Sequence, residues 1–359
     1  MNAILVQIQS SLNFFNTQFS TLMYFGLEFL YFFILYVVII VCMLITVAFF
    51  TVYERKLIAA INQRVGPNVV GPLGLLQAIA DGVKLFLKEF ILPLRANRIL
   101  FVFAPMLVFF LSLMSWLVVP FGPNIVVSNI NLGVIFILLI SSLNVYGIIL
   151  SGWAGNSRYA FLGALRAAAQ MVSYELAMST CILAVVLFSG SLNLTQIVLA
   201  QENTWYFWPL WPIFLMFFIC SLAETNRSPF DLPEAESELV SGYNTEHSAF
   251  PFAFFFLGEY LSIVLLSNLN VLFFFGGWLP PFAWMDFSLS FINTGFIWYF
   301  LKVLFFLSLF VWVRASLPRY RYDQLMRLGW KVFLPLTFSL FGLSVGLLYV
   351  FEGAAPFLY

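Results

Sequence analysis

Apolar residues run along this chain in blocks rather than in alternation, and the blocks are long enough to cross a bilayer core, which takes about 20 residues as α-helix. Reading for that length predicts eight spans, near residues 25–53, 97–119, 132–151, 170–188, 208–223, 250–275, 291–313 and 332–350. The fold class that follows is an all-α polytopic membrane protein. It divides into an N-terminal extension (1–24), one transmembrane helical domain (25–353) and a C-terminal tail (354–359). Between the first two spans the period changes. After the turn punctuation Gly66-Pro67-Asn68 and Gly71-Pro72, Gln77, Asp81, Lys84 and Lys88 share one helical face, and Leu75, Leu76, Ile79, Val83, Phe86 and Leu87 the other. That spacing predicts an amphipathic helix on the membrane surface.

Composition narrows the chemistry. Of 359 residues 62% are hydrophobic and 9% charged, against roughly a quarter charged in soluble domains. The net charge of zero gives no basis for nucleic-acid binding. Cys42, Cys181 and Cys220 are isolated in apolar runs and read as buried small hydrophobes, without CxxC or iron–sulfur spacing. His247 is the sole histidine, so neither a His-based metal site nor a Ser-His-Asp triad can be assembled within the chain. No nucleotide-binding glycine motif is present, and any redox chemistry has to come from a partner's cofactor or a diffusible substrate. The N-terminal two dozen residues lack Lys and Arg, and no cleavable targeting signal is readable there.

Charge is one-sided. Fifteen of the sixteen Lys and Arg fall in alternate loops, and the sixteenth, Lys302, lies inside the seventh span. The positive-inside rule then puts the basic loops on the cytoplasmic side or its mitochondrial equivalent, the matrix. Acids concentrate too: Glu224, Asp231, Glu234, Glu236, Glu238, Glu246 and Glu259 are seven of the sixteen, within one tenth of the chain. Asp231, Pro233 and Glu234 read as the capped start of a helix. Glu236 and Glu238 have either a solvated face or a site as their reason. Glu175 begins the fourth span, Glu224 ends the fifth and Glu259 lies inside the sixth, where a charge costs about 2.5–3.5 kcal/mol on insertion scales. Acids so placed suit a proton relay. In the last basic loop, Arg319, Arg321 and Asp323 are expected to bond to the acidic loop.

The motifs ERKLIAAINQRVGPNVVGPLGLLQ, LGALRAAAQMVSYE, LAETNRSPFDLPEAESELVSGYN, LGEY and RYRYDQLMRLGWKVFLPL, in this order from about Val52 to Leu336, closely resemble the subunit 1 family of NADH:ubiquinone oxidoreductase, respiratory complex I. That family has eight core spans. The resemblance implies a core membrane subunit that forms the quinone tunnel and couples quinone reduction to proton translocation, part of an enzyme but with no complete active site of its own. By motif position it implies quinone-binding roles for Arg55, Gln63, Arg64, Asp81, Arg227, Asp231, Glu234, Glu236 and Glu238, and proton coupling through Glu175, Glu224, Glu246 and Glu259. It implies no cofactor in this chain, ubiquinone as substrate, FMN and iron–sulfur clusters in partner subunits, and as partners the peripheral quinone-module subunits, adjacent membrane subunits and lipid. The resemblance and the heavy use of Phe, 45 residues, suggest the mitochondrial inner membrane. Two rival readings are the membrane subunit of an energy-converting hydrogenase and a stand-alone ion transporter. The chain departs from the family pattern at His247, usually Tyr, and at Ala78 and Phe90, usually Pro.

Overall fold

The computed structural model describes residues 2–123, 125–231, 241–281 and 294–350, with side chains from residue 30 onward except those of 31 and 294. Regular structure among the described residues is helical, apart from one isolated bridge between Gly122 and Ile125. The helices are α1 (Asn2–Ile61), α2 (Gln77–Leu87), α3 (Arg98–Met114), α4 (Gly133–Ala154), α5 (Arg158–Ser189), α6 (Leu194–Leu199), α7 (Trp211–Glu224), α8 (Phe250–Phe274), α9 (Thr294–Ser316), α10 (Tyr322–Arg327) and α11 (Leu334–Val350), the last two joined by a π-helical turn over Leu328–Phe333. Seven helical segments are long and apolar enough to cross a membrane, and the apolar α7 is shorter, at 14 residues. The chain is thus an all-helical polytopic membrane protein. It forms two compact units, Met1–Ile45 and Thr46–Tyr359; everything below concerns the second.

Several helices outrun their hydropathy. α1 continues past the apolar block because Glu54-Arg55-Lys56-Leu57-Ile58-Ala59-Ala60 are strong helix formers. It ends at Gln63, whose left-handed φ of 55° lets the Arg64 N–H reach Ala59 O at 2.8 Å and its own N–H reach Ala60 O at 3.1 Å, a Schellman stop. α5 begins at Arg158, twelve residues before the expected span, because Ser157 caps it by accepting the Ala160 N–H and the following Ala-rich stretch favours helix.

Connections sort to opposite ends of the bundle. At one end Asn97 N donates to Ala154 O (3.1 Å), Ile91 N to Ser248 Oγ (3.3 Å) and Tyr320 N to Pro229 O (3.0 Å), so the four loops that carry the basic residues are tied together. At the other, Asn193 Nδ2 donates to Asn129 Oδ1 (2.7 Å), Val134 N to Leu192 O (3.1 Å) and Gln201 Nε2 to Leu272 O (2.9 Å). There the Lys302 ammonium, inside α9, donates to the carbonyls of Phe275, Gly277 and Leu279 (2.6, 3.0 and 2.6 Å) and lies 4.4 Å from the Trp205 ring centre. Those contacts satisfy a cation that no carboxylate accompanies within ion-pair distance among the described residues.

A closely packed core positions the loop after α7. Val108, Val145, Ala164, Ala167, Met171 and Phe255 cluster with Tyr243. Gly163 makes this possible: a Cβ there would stand 2.6 Å from the Gly242 Cα, so α5 and the 241–249 loop touch backbone to backbone.

Candidate functional site

α8 places Glu259 and Tyr260 side by side, and the two reach different partners. The Tyr260 hydroxyl donates to Glu54 Oε2 on α1 at 2.6 Å, and Arg314 of α9 bonds the other oxygen of the same carboxylate. Glu259 accepts the Tyr243 hydroxyl at 2.5 Å and has Arg227 Nη2 at 3.7 Å from its Oε2. The Arg227 guanidinium carbon lies 4.5 Å from the Tyr260 ring centre. Two carboxylates and two guanidiniums from α1, α8, α9 and the loop after α7 therefore surround one phenol. Glu54 and Arg227 are 5% and 6% exposed, so each depends on its counter-charge; removing one member of a buried pair costs about 3–5 kcal/mol.

Gln170, fully buried on α5, holds the loop in place. Its Nε2 donates to Ala223 O and to Phe230 O, both at 2.8 Å, clamping the stretch that contains Arg227. Just beyond, Asp231 bonds Arg319 Nη2 at 3.0 Å, and Phe230 stacks on Tyr320 with ring centres 5.7 Å apart. The expected bond between the last basic loop and the acidic loop is therefore present at Arg319. Arg321 is the N-cap residue of α10, with its backbone N–H on Gln324 Oε1. Glu234, Glu236 and Glu238, and with them the helix start expected after Asp231, lie outside the described residues.

The remaining acids extend inward. Glu224, at the end of α7, has Oε2 withdrawn from solvent with no hydrogen-bond partner. It borders a cavity of about 20 Å3 shared with Glu259, Tyr243, Asn144 and Ser262, and a second of about 40 Å3 whose walls include Asn144, Ser262 and Ser141. A single water needs about 10–15 Å3 of such space and two or more polar partners, and both cavities meet that condition. On the far side of Ser141, whose hydroxyl donates to Glu175 Oε1 at 2.9 Å, Ser142 bonds the same oxygen. Glu259 and Glu224 thus share the first small cavity, and the second, which Glu224 also lines, reaches Ser141 and through its hydroxyl Glu175.

The sequence-derived residues of the first loop form a separate, half-exposed group. Arg55 Nη1 bonds Asp81 Oδ2 at 2.7 Å and Gln77 Nε2 bonds Asp81 Oδ1 at 3.0 Å, fastening α2 to the end of α1. Gln63 and Arg64 are exposed at the α1 stop. Glu246 packs at the α4–α5 turn, its Cγ 3.4 Å from where a Cβ on Gly155 would be. His247 is buried, stacked on Phe101 (4.1 Å between ring centres) and edge-on to Phe255 (5.2 Å); burial lowers its pKa to about 4, so it is neutral at physiological pH. No group of three or more His, Cys, Asp or Glu side chains suited to a metal occurs among the described residues. Glu54, Gln170, Tyr243, Tyr260 and Arg314 carry the network and were missed by sequence reasoning; the signal for Glu54 was its place as an acid at the end of an apolar span.

Comparison with known proteins identifies the family. The model of the NADH dehydrogenase family matches residues 34–345. The chain is 57% identical over 316 residues to NADH-ubiquinone oxidoreductase chain 1 of Chondrus crispus, covering 88% of this chain and 96% of that one. To a bacterial relative, an NADH-quinone oxidoreductase subunit of Rhodospirillum rubrum, it is 56% identical over 320 residues, covering 88% and 93%. NADH-ubiquinone oxidoreductase chain 1 of Cyanidium caldarium is similar at 56% over 314 residues, covering 88% and 90%. With one family model spanning most of its length and relatives above half identity along nearly their whole chains, this protein belongs to the NADH dehydrogenase family of membrane subunits, the family of complex I subunit 1.

Proposed function

We propose that this chain is the mitochondrial inner-membrane subunit of a proton-translocating NADH:ubiquinone oxidoreductase that houses the quinone headgroup channel and passes protons inward through its buried acids. The observation that carries the reading is the continuous run from Glu259 through Glu224 to Glu175, bridged by cavities sized for water. Glu224 has an unpartnered oxygen facing this run, which fits a group that exchanges protons better than a structural ion pair. Hydroxyls at Tyr243, Ser262 and Ser141 and the amide of Asn144 supply the remaining hydrogen bonds, with water bridging the gaps.

On this reading the 55–81 group forms the entrance. Arg55 and Asp81 fix α2 against α1, Gln63 and Arg64 line the opening, and Arg227, beside Glu259, shares the quinone-binding role with Asp231. Glu234, Glu236 and Glu238 share the quinone-binding role, and Glu246 shares the proton-coupling role of Glu175, Glu224 and Glu259. α2 leaves Ile79, Val83 and Phe86 exposed, which suits a helix lying in the membrane surface beneath a peripheral subunit. α7 counts as a span despite its length, giving eight, and the basic end of the bundle faces the matrix. Flavin and iron–sulfur chemistry belong to peripheral partners, whose terminal cluster delivers electrons to the quinone.

Glu224→Gln tests the relay, because it preserves size while disturbing no ion pair among the described residues. Assembled complex on a native gel should stay near wild type while quinone reduction and proton uptake into vesicles fall together. Normal pumping in fully assembled complex would remove Glu224 from the path. Recovery of the wild-type chain alone and monodisperse from mild detergent, without hydrophilic redox subunits, would favour a stand-alone transporter.

A further inference from the structure

We infer that the pocket at the α4–α5 turn binds the phosphate headgroup of an anionic phospholipid. It is an open groove of about 460 Å3 between the segment before α3 and the turn at 154–158. Arg95 and Arg158 both line it. Neither has a carboxylate within ion-pair distance among the described residues. The nearby acid Glu246 packs against Gly155 and does not line the pocket.

The backbone carrying these arginines is pinned. Asn156 Nδ2 donates to Arg95 O at 3.2 Å and Asn97 N to Ala154 O at 3.1 Å, so the backbone segments that carry the two exposed arginines are held side by side. Ser157 already caps the start of α5, and the positive charge offered to a ligand is that of the arginines. Beside them Trp153, 64% exposed, meets Phe161 edge-on at 5.9 Å. An exposed aromatic pair next to arginines, at the end of the bundle where basic loops gather, is the arrangement of a headgroup-level site: guanidiniums take phosphate oxygens and the rings lie against glycerol and the first acyl carbons. A free phosphate would use the arginines and leave the rings idle.

Glu175, Glu224 and Glu259 do not line the site, and it stands whether or not they carry protons. To test it, intact complex in phosphatidylcholine nanodiscs is irradiated with phosphatidylglycerol bearing a diazirine in its acyl chain, and adducts are mapped by mass spectrometry. Adducts on residues 153–161 are expected, unaffected by millimolar inorganic phosphate. The double variant Arg95→Gln/Arg158→Gln should weaken labelling roughly 30-fold in lipid titrations, at about fivefold per arginine near a membrane surface. Displacement by inorganic phosphate would make it a soluble-anion site, and equal labelling by a phosphatidylcholine probe would make it an unselective groove. Absence of adducts from the turn would mean that protein covers the arginines. Any of the three overturns the proposal. Because the probe comparison uses the wild-type chain, it decides the matter even if the double variant fails to assemble.

Discussion

Tyr260 and Glu54 lie 206 positions apart in sequence and 2.6 Å apart in space, hydroxyl to carboxylate. The bond joins the end of α1 to the middle of α8, and Arg314 closes the same carboxylate from α9. A hydrogen bond to a charged group contributes about 1.5–3 kcal/mol. Tyr260→Phe should therefore lower the melting temperature of assembled complex moderately, and Arg314→Met more, since it leaves Glu54 buried without its counter-charge at about 3–5 kcal/mol. Glu54→Gln combined with Arg314→Met should recover part of the loss. Thermal melts of the purified complex would show this order, and equal melting of Arg314→Met and wild type would mean that the pair contributes nothing.

Arg55 sits at the proposed entrance in a half-exposed pair with Asp81, a kind of pair worth about 0–1 kcal/mol. Stability is thus a minor part of its role. Arg55→Ala should leave assembly and NADH oxidation by hydrophilic artificial acceptors intact, while ubiquinone reduction falls and inhibitor sensitivity shifts. Equal loss of both activities would place the defect upstream of the quinone.

His247 supplies a pH test with a definite sign. Its folded pKa of about 4 lies below the usual 6.5 because the ring is buried, so between those values the unfolded chain binds the extra proton and stability rises with pH. The contribution is fully present above pH 6.5 and declines as pH falls toward 4, by about 3 kcal/mol in all. Replacing the ring by His247→Phe removes that slope. Chemical denaturation of the complex at pH 5 and pH 7 should show a smaller difference for the variant, and identical differences would mean that His247 is accessible to protons in the folded protein.

Sidedness can be read by cysteine labelling. Asn203→Cys and Asn68→Cys are both on exposed loop positions at opposite ends of the bundle, and an impermeant maleimide should reach them from opposite faces of oriented membranes. Gln201 is unsuitable for the purpose, being buried with its amide on Leu272 O and its carbonyl taken by Gly276 N. Labelling of both positions from one face would defeat the topology.

Apolar block length made most of the helices legible, because a membrane leaves the chain few alternatives. What it hid were the extensions: the end of α1 and the start of α5 are charged or Ala-rich, so hydropathy falls while helix propensity persists. The acids were legible as outliers in an apolar chain, and Arg319 as a complement to the acidic loop, though not to Asp231 in particular. Their partners were not. Glu54 and Tyr260 are brought together only by the packing of α1 against α8, and Gln170 reads as an ordinary polar residue until its amide is seen between Ala223 and Phe230. Lys302 announced itself by position, whereas its carbonyl acceptors have no sequence signature.

The ring of charges around Tyr260 has an electrical consequence. Two carboxylates and two guanidiniums there sum to zero formal charge, and such an arrangement casts a field that falls off faster with distance than that of a single charge. One proton added to Glu259 converts it into a net monopole in a medium of low polarisability, where an uncompensated unit charge is felt over much longer distances. On the proposed relay, a single protonation at this centre would reach Glu224 and Glu175 as a change of field, with no helix having to move.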